Sequence, residues 1–465
     1  MKEDMHSYNA MADNFVLTLP TDNKNRRMSI AWLLLAISSL LIAGLFTILI
    51  VLSRTPFFQD IVPWTDFFHT ALVVHVDLTV LVWFLAYAGM FWTLNSRAAC
   101  FKCGWLALFL SATGMLIIIL APFLGAGMPF MNNYVPVLRD PVFFAGLGLF
   151  GLGFAVLVLR GLFFSNPVGA IISGEGAIRF GLYTALISAV VAIAALLASW
   201  YGMPATAEGE YYYELLFWGA GHTVQFVHVQ LMLVAWLCLA TFSGIHLQIT
   251  PRIVLMLFAI GLLPVLMTPL VYILFDVGSA DHLEIISLIM KFGGGLAAAP
   301  VGVMIIYSLF AGAKSMPEES AAGNALLFSI LLFAMGGVIG YMISGSNVII
   351  PAHYHGSIVA VTLAFMGITF HLLPGLGFTK PQGKLVKWQP VIYGSGQFMH
   401  VLGLAWSGGY GVQRKTAGVA QQLDGIEKIA GMGLMGLGGM IAIVGGILFL
   451  IIVFQSIWPS ARKSS

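Results

Sequence analysis

Charge is what this sequence has least of. Asp, Glu, Lys and Arg make up 9% of the 465 residues, against 59% hydrophobic residues. A soluble domain carries about a quarter charged residues, so the composition defines a polytopic membrane protein. A formal net charge of +2 says nothing about nucleic acid, which is not an expected partner. Cysteine is also scarce, and three residues cannot build a disulfide framework. Cys100 and Cys103 form a CFKC pair with no His after it, which excludes a thioether cofactor attachment. They read as incidental loop thiols ahead of a zinc or redox role. A signal-peptide core is missing too. The first 28 residues are polar and read as a cytoplasmic tail.

What is abundant is apolar length. Stretches able to cross about 30 Å of hydrocarbon fall near residues 29–52, 67–94, 103–125, 142–164, 177–203, 213–241, 253–275, 283–312, 323–345, 350–377, 385–412 and 428–455. Only helices and closed barrels satisfy their backbone in lipid. The prediction is an all-α fold, a single twelve-helix membrane domain over 29–455, with short tails at 1–28 and 456–465. No internal repeat is visible. Lys and Arg set the orientation. With the N-terminus inside, Lys2, Lys24, Arg26, Arg27, Arg97, Lys102, Arg160, Arg179, Arg252, Lys314, Lys380, Lys384, Lys387, Arg462 and Lys463 fall on the inner side. Only Arg54, Arg139, Arg414, Lys415 and Lys428 fall outside. Both termini are therefore expected inside, and even-numbered spans run inward.

Two histidines at i,i+2, His353 and His355 in PAHYHGSIVAV, open the tenth span. A helix turns about 100° per residue, so these rings leave opposite flanks. Unpaired imidazoles in hydrocarbon are expensive, and the economical reading gives each flank its own metal centre. His75 lies about two turns into the second span, and His222 two to three turns into the sixth. On the predicted polarity all four sit in the outer half of the bilayer, which scattered structural histidines have no reason to do.

The other histidines read more blandly. His69 is interfacial, His371 ends the tenth span, His6 and His246 belong to tail and loop, and His400 makes a structural hydrogen bond or supports a ligand. His228 is six residues past His222, about 240° around the helix, and does not share its metal. Asp276, Asp281 and His282 are loop residues or ligands reaching inward. Lys291 is a charge inside a span and so a candidate for function. The 52 glycines serve close helix packing.

The chain resembles subunit I of the haem-copper oxidases, the superfamily that includes the nitric oxide reductases. GGVIGYMISGSNVIIPAHYHGSIVAV resembles the family's passage into its HxH helix. HVDLTVLVWFLAYAG resembles the low-spin haem segment, FWGAGHTVQF the WxxGH segment, and FMHVLGLAWSGGYG the MHFLGLAG stretch. The resemblance covers nearly the whole chain. It implies two haems, expected to be b-type. His75 and His355 ligate a low-spin haem, which moves electrons only. His353 is the proximal ligand of a second haem that binds O2 or NO. His222 is a ligand of metal B, which is copper or non-haem iron. Arg414 and Lys415 pair with propionates. The resemblance further implies a cytochrome c or quinol electron donor, an accessory membrane subunit, and a bacterial-type cytoplasmic membrane.

Several family positions differ. The His-His pair that completes metal B falls at Phe275 and Asp276. Asp276 is an oxygen donor, and Asp281 with His282 is the weaker alternative. Copper favours imidazole over carboxylate, so this set suits iron better, or no metal. Phe226, Val224, Met304 and Ala297 stand where the family places tyrosine, glutamate, lysine and glutamate, so efficient proton pumping is not expected. Two function classes follow: an O2 or NO reductase, or a dihaem electron-transfer or gas-binding protein without metal B. A twelve-helix transporter is disfavoured, since no pair of broken helices occupies corresponding halves.

Overall fold

The computed structural model describes residues 14–53, 67–125, 127–311, 320–415 and 422–463. Lys2, His6, Arg54 and Lys314, assigned above to sides and tails, lie outside these residues. Helices dominate because long apolar runs with few breakers leave the backbone no other partner. In chain order they are α1 (Asn23–Ser53), α2 (Phe67–Val76), a π-helical turn (Asp77–Val82), α3 (Trp83–Leu94) and α4 (Phe101–Leu120). A two-residue hairpin follows, β1 (Pro129–Phe130) pairing antiparallel with β2 (Val137–Leu138). Then come α5 (Pro141–Phe164), α6 (Gly174–Tyr201), α7 (Gly209–Phe242), α8 (Pro251–Leu274), α9 (Ala280–Gly293) and α10 (Ala298–Phe310). The chain ends with α11 (Ser320–Tyr341), α12 (Ile349–Gly375), α13 (Lys384–Gly409) and α14 (Ile426–Lys463).

Among the described residues, eleven helical spans are long and apolar enough to cross a membrane. The twelfth, α13, is long enough but carries Lys384, Lys387, Gln389, Gln397 and His400. All twelve expected spans are thus helical. The eighth, read as one helix over 283–312, is two. Gly293, Gly294 and Gly295 sit at the break, each costing about 1 kcal/mol in a helix interior relative to alanine. Side chains cap the starts of α5 through Asp140, α6 through Ser173 and α9 through Ser279, satisfying N–H groups that helix geometry leaves orphaned.

Three expectations change. The N-terminal tail is not wholly solvated, because Phe15 and Asn25 are buried. Lys291, expected inside, is exposed. Cys100 and Cys103, read as separate thiols, form a disulfide with Cα atoms 5.4 Å apart. Cys100 has φ 41° and is the N-cap of α4, which turns it onto the first turn where Cys103 sits.

The chain packs as two compact units, each described by itself. The first comprises Leu17–Leu231 and Pro251–Ala297, the second chiefly Met232–Thr250 and Ala298–Ser465. In the first, α1 packs on α2 and α3, α4 on α5, and α6 on α8. A buried Arg160 guanidinium gathers the loop before α4, donating to Ser96 Oγ (3.0 Å), Asn25 Oδ1 (3.1 Å) and Ala99 O (3.3 Å). In the second, α11, α12, α13 and α14 pack in sequence. The most buried apolar segments lie in α7 and α12. α7 carries His222, which is buried, and α12 carries His353 and His355, which are half-buried.

Candidate functional site

In the first unit, His75 ends α2. Its Nδ1 lies 3.0 Å from the Ala43 carbonyl and 3.2 Å from the Thr47 hydroxyl, both on α1. A carbonyl only accepts, so Nδ1 carries the proton, and in the neutral ring Nε2 keeps the lone pair. The π turn begins two residues later, and such turns are frequent at functional sites. It buries Asp77, whose two carboxylate oxygens have no protein hydrogen-bond partner.

His222 lies on α7. Its Nδ1 donates to the Trp218 carbonyl one turn earlier, at 2.7 Å. That leaves Nε2 as acceptor, and the Tyr134 hydroxyl donates to it at 2.7 Å. Tyr134 comes from the turn joining β1 to β2. The turn is held on α7 by Asn133, whose backbone N–H donates to Glu214 at 2.8 Å and whose amide donates to the same carboxylate. Burial, with Glu214 close by, pushes the Tyr134 phenol well above its ordinary value, so it stays protonated. The approach depends on Gly221, since a Cβ there would lie 2.2 Å from Tyr134 Cγ.

Asp276 and Asp281 are exposed, in the turn after α8 and the first turn of α9. His282 is fully buried, with its ring edge-on to Tyr272 at 5.0 Å and its Nε2 without a protein partner. No group of three or more His, Cys, Asp or Glu placed to hold a metal occurs among the described residues. His228, weighed above, packs on Phe84 at 4.6 Å.

In the second unit, the two flanks of α12 face different neighbours. His353 Nδ1 donates to the Gly336 carbonyl of α11 at 2.7 Å, again leaving Nε2 with its lone pair. Gly340 of α11 makes room, since a Cβ there would fall 2.7 Å from that Nδ1. His355 faces α13 instead, its ring 4.8 Å from that of His400. His400 Nδ1 in turn donates to Met435 O at 3.0 Å. Beyond α13, Val348 N–H donates to Val412 O at 2.9 Å. This ties the start of α12 to the segment carrying Arg414 and Lys415, at the histidine end of the helix.

Two residues of these sites escaped the sequence reading. Asp77 left a signal, a carboxylate inside an apolar run. Tyr134 left none, being one aromatic in a loop.

No family model matches the chain. The chain is 29% identical over 501 residues to an uncharacterized protein of Rickettsia prowazekii (strain Madrid E), covering 92% of this chain and 95% of that protein. It is 30% identical over 363 residues to an uncharacterized protein of Aquifex aeolicus (strain VF5), covering 77% of this chain and 88% of the other. The chain belongs to the family of that Aquifex protein. Among solved structures it is similar to a heme-copper terminal oxidase determined as a dimer by cryo-EM, with TM-score 0.65 and 17% identity, over 95% of this chain and 84% of the other. The fold is therefore an all-α, multi-pass bundle of the haem-copper oxidase type.

Proposed function

We propose that this is a dihaem redox protein of the cytoplasmic membrane. His75 and His355 would hold a low-spin haem, and His353 a second haem with one open face for O2 or NO. When bound, these groups would supply single-electron redox chemistry and one open iron position for a diatomic, with a cytochrome c or quinol as the electron donor. The observation that carries this reading is the hydrogen bonding of His75 and His353. Each donates Nδ1–H to a carbonyl of a neighbouring helix, which fixes the ring and reserves Nε2 for iron. The residues fit a non-covalently held haem, of which b type is the simplest, since the sequence carries no thioether attachment motif. His75, His353 and His355 are half-buried, which leaves imidazole surface for a planar group to cover. Arg414 and Lys415, placed at this end, would take the propionates. The basic-residue asymmetry supports termini on the cytoplasmic side.

A pyridine haemochrome assay on purified protein tests the reading. About two haems per chain are expected from two axial sets. His75→Ala should remove the low-spin bands and keep the CO difference signal, whereas His353→Ala should do the reverse. Protein without haem would refute the proposal.

A further inference from the structure

The fold raises the expectation of a third metal on His222, and the donors there do not fit one. We infer that Tyr134 has taken the metal's place, so that this site is a metal-free tyrosine–histidine pair. The functional consequence rests on the haem reading above, but the inference itself stands on the first unit alone.

Every hydrogen-bonding valence of the imidazole is used. Nδ1 donates to Trp218 O, and Nε2, the one nitrogen left with a lone pair, accepts from the phenol. A metal binding Nε2 would first displace that hydroxyl. The phenol is no loose lid. Its ring rests on His222 with centroids 4.6 Å apart, meets Trp218 edge-on at 6.0 Å, and fills the space a side chain at 221 would occupy. Trp218 is itself anchored, donating Nε1–H to Leu283 O at 3.2 Å. The neighbouring hairpin residue is fixed to Glu214 on the same helix.

Among the described residues, no group of three or more His, Cys, Asp or Glu assembles here. Phe275 has no donor atom, and Asp276 and Asp281 point to the surface. His282 is a single further imidazole, and one or two imidazoles fall short of the three protein ligands usual for a tight catalytic site. A neutral, fully paired tyrosine–histidine couple costs little to bury. The chemistry left to the protein is one-electron transfer and diatomic binding, since reduction shared between a haem and a second metal needs the metal this site excludes.

The full-length chain, expressed with copper, iron and zinc supplied, should contain iron equal to its haem and no other metal above background. Its non-haem metal content should be unchanged in His222→Ala. About one further equivalent of any metal, lost in His222→Ala, would overturn the inference. Diethylpyrocarbonate labelling read by peptide mass spectrometry gives a second test. His222 should label slowly in the native chain and several-fold faster in Tyr134→Ala. Equal rates would show that Tyr134 does not cover Nε2. Absence of haem alongside the expected metal and labelling results would sink the haem reading and leave this one standing.

Discussion

The contact between Gly221 and Tyr134 makes a quantitative prediction. In Gly221→Ala the new Cβ would lie 2.2 Å from Tyr134 Cγ and 2.5 Å from its Cβ and Cδ1. Ordinary contact begins near 3.4 Å, so the ring must retreat by about 1.2 Å, the difference between the two. That motion stretches the 2.7 Å bond to His222 beyond hydrogen-bonding range. Overpacking costs about 1–3 kcal/mol, and the lost hydrogen bond about 0.5–1.5 kcal/mol more. Replacing glycine by alanine in a helix returns about 1 kcal/mol. The expected net loss is about 0.5–3.5 kcal/mol. With Tyr134 already cut to alanine the collision vanishes and only the helix gain remains, so the same substitution should become neutral or stabilising. The coupling between the two sites is thus about 1.5–4.5 kcal/mol, at or above the upper part of the range seen for residues in direct contact. Unfolding midpoints of the wild type, both single variants and the double variant, scanned in one detergent at one rate, measure it. Additive effects would refute the seat.

Other outcomes follow from the structure and from the distribution of basic residues. Gly340→Ala pushes the His353 ring off the Gly336 carbonyl, and should cost about 1–3 kcal/mol while shifting the CO difference spectrum; an unchanged midpoint and spectrum would contradict the geometry. Arg160→Met keeps the buried stem but strips three hydrogen bonds from a charged group, each worth about 1.5–3 kcal/mol; a midpoint change equivalent to less than about 0.5 kcal/mol, the scale of an ordinary surface substitution, would show the loop is held otherwise. Maleimide labelling of denatured protein should rise by two thiols after reduction, from the Cys100–Cys103 pair, over the one free Cys238; three labels without reduction would break the pairing. A C-terminal fluorescent-protein fusion should fluoresce and an alkaline phosphatase fusion stay inactive, because both termini are expected inside.

The spans were legible because their signal is length and apolarity, summed over about twenty residues at a time. The break in the eighth span was not, although GGG stood in plain view, since glycine is common throughout these helices and marks packing as often as interruption. Among site residues, the HxH spacing predicted that His353 and His355 face different neighbours, and α11 and α13 are those neighbours. The partner of His222 was illegible. Tyr134 is 88 residues away in sequence, and its arrival depends on a hairpin turn and on an empty position at Gly221 within WGAGH. That glycine reads as packing until the ring that fills its space is seen. The disulfide was missed for a related reason: it rests on the left-handed backbone at Cys100, which a CxxC spacing alone does not specify.

The wide turn at Asp77–Val82 has a mechanical consequence. A π turn accommodates one residue more than the α spiral around it, so it works as an angular offset of about 100° between His75 before it and the fully buried face of α3 behind it. Deleting one residue within 77–82 would close the spiral, leave α3 seated, and swing the imidazole about a quarter-circle away from the Ala43 carbonyl. The direction in which that ring looks is thus set by a single surplus residue downstream of it.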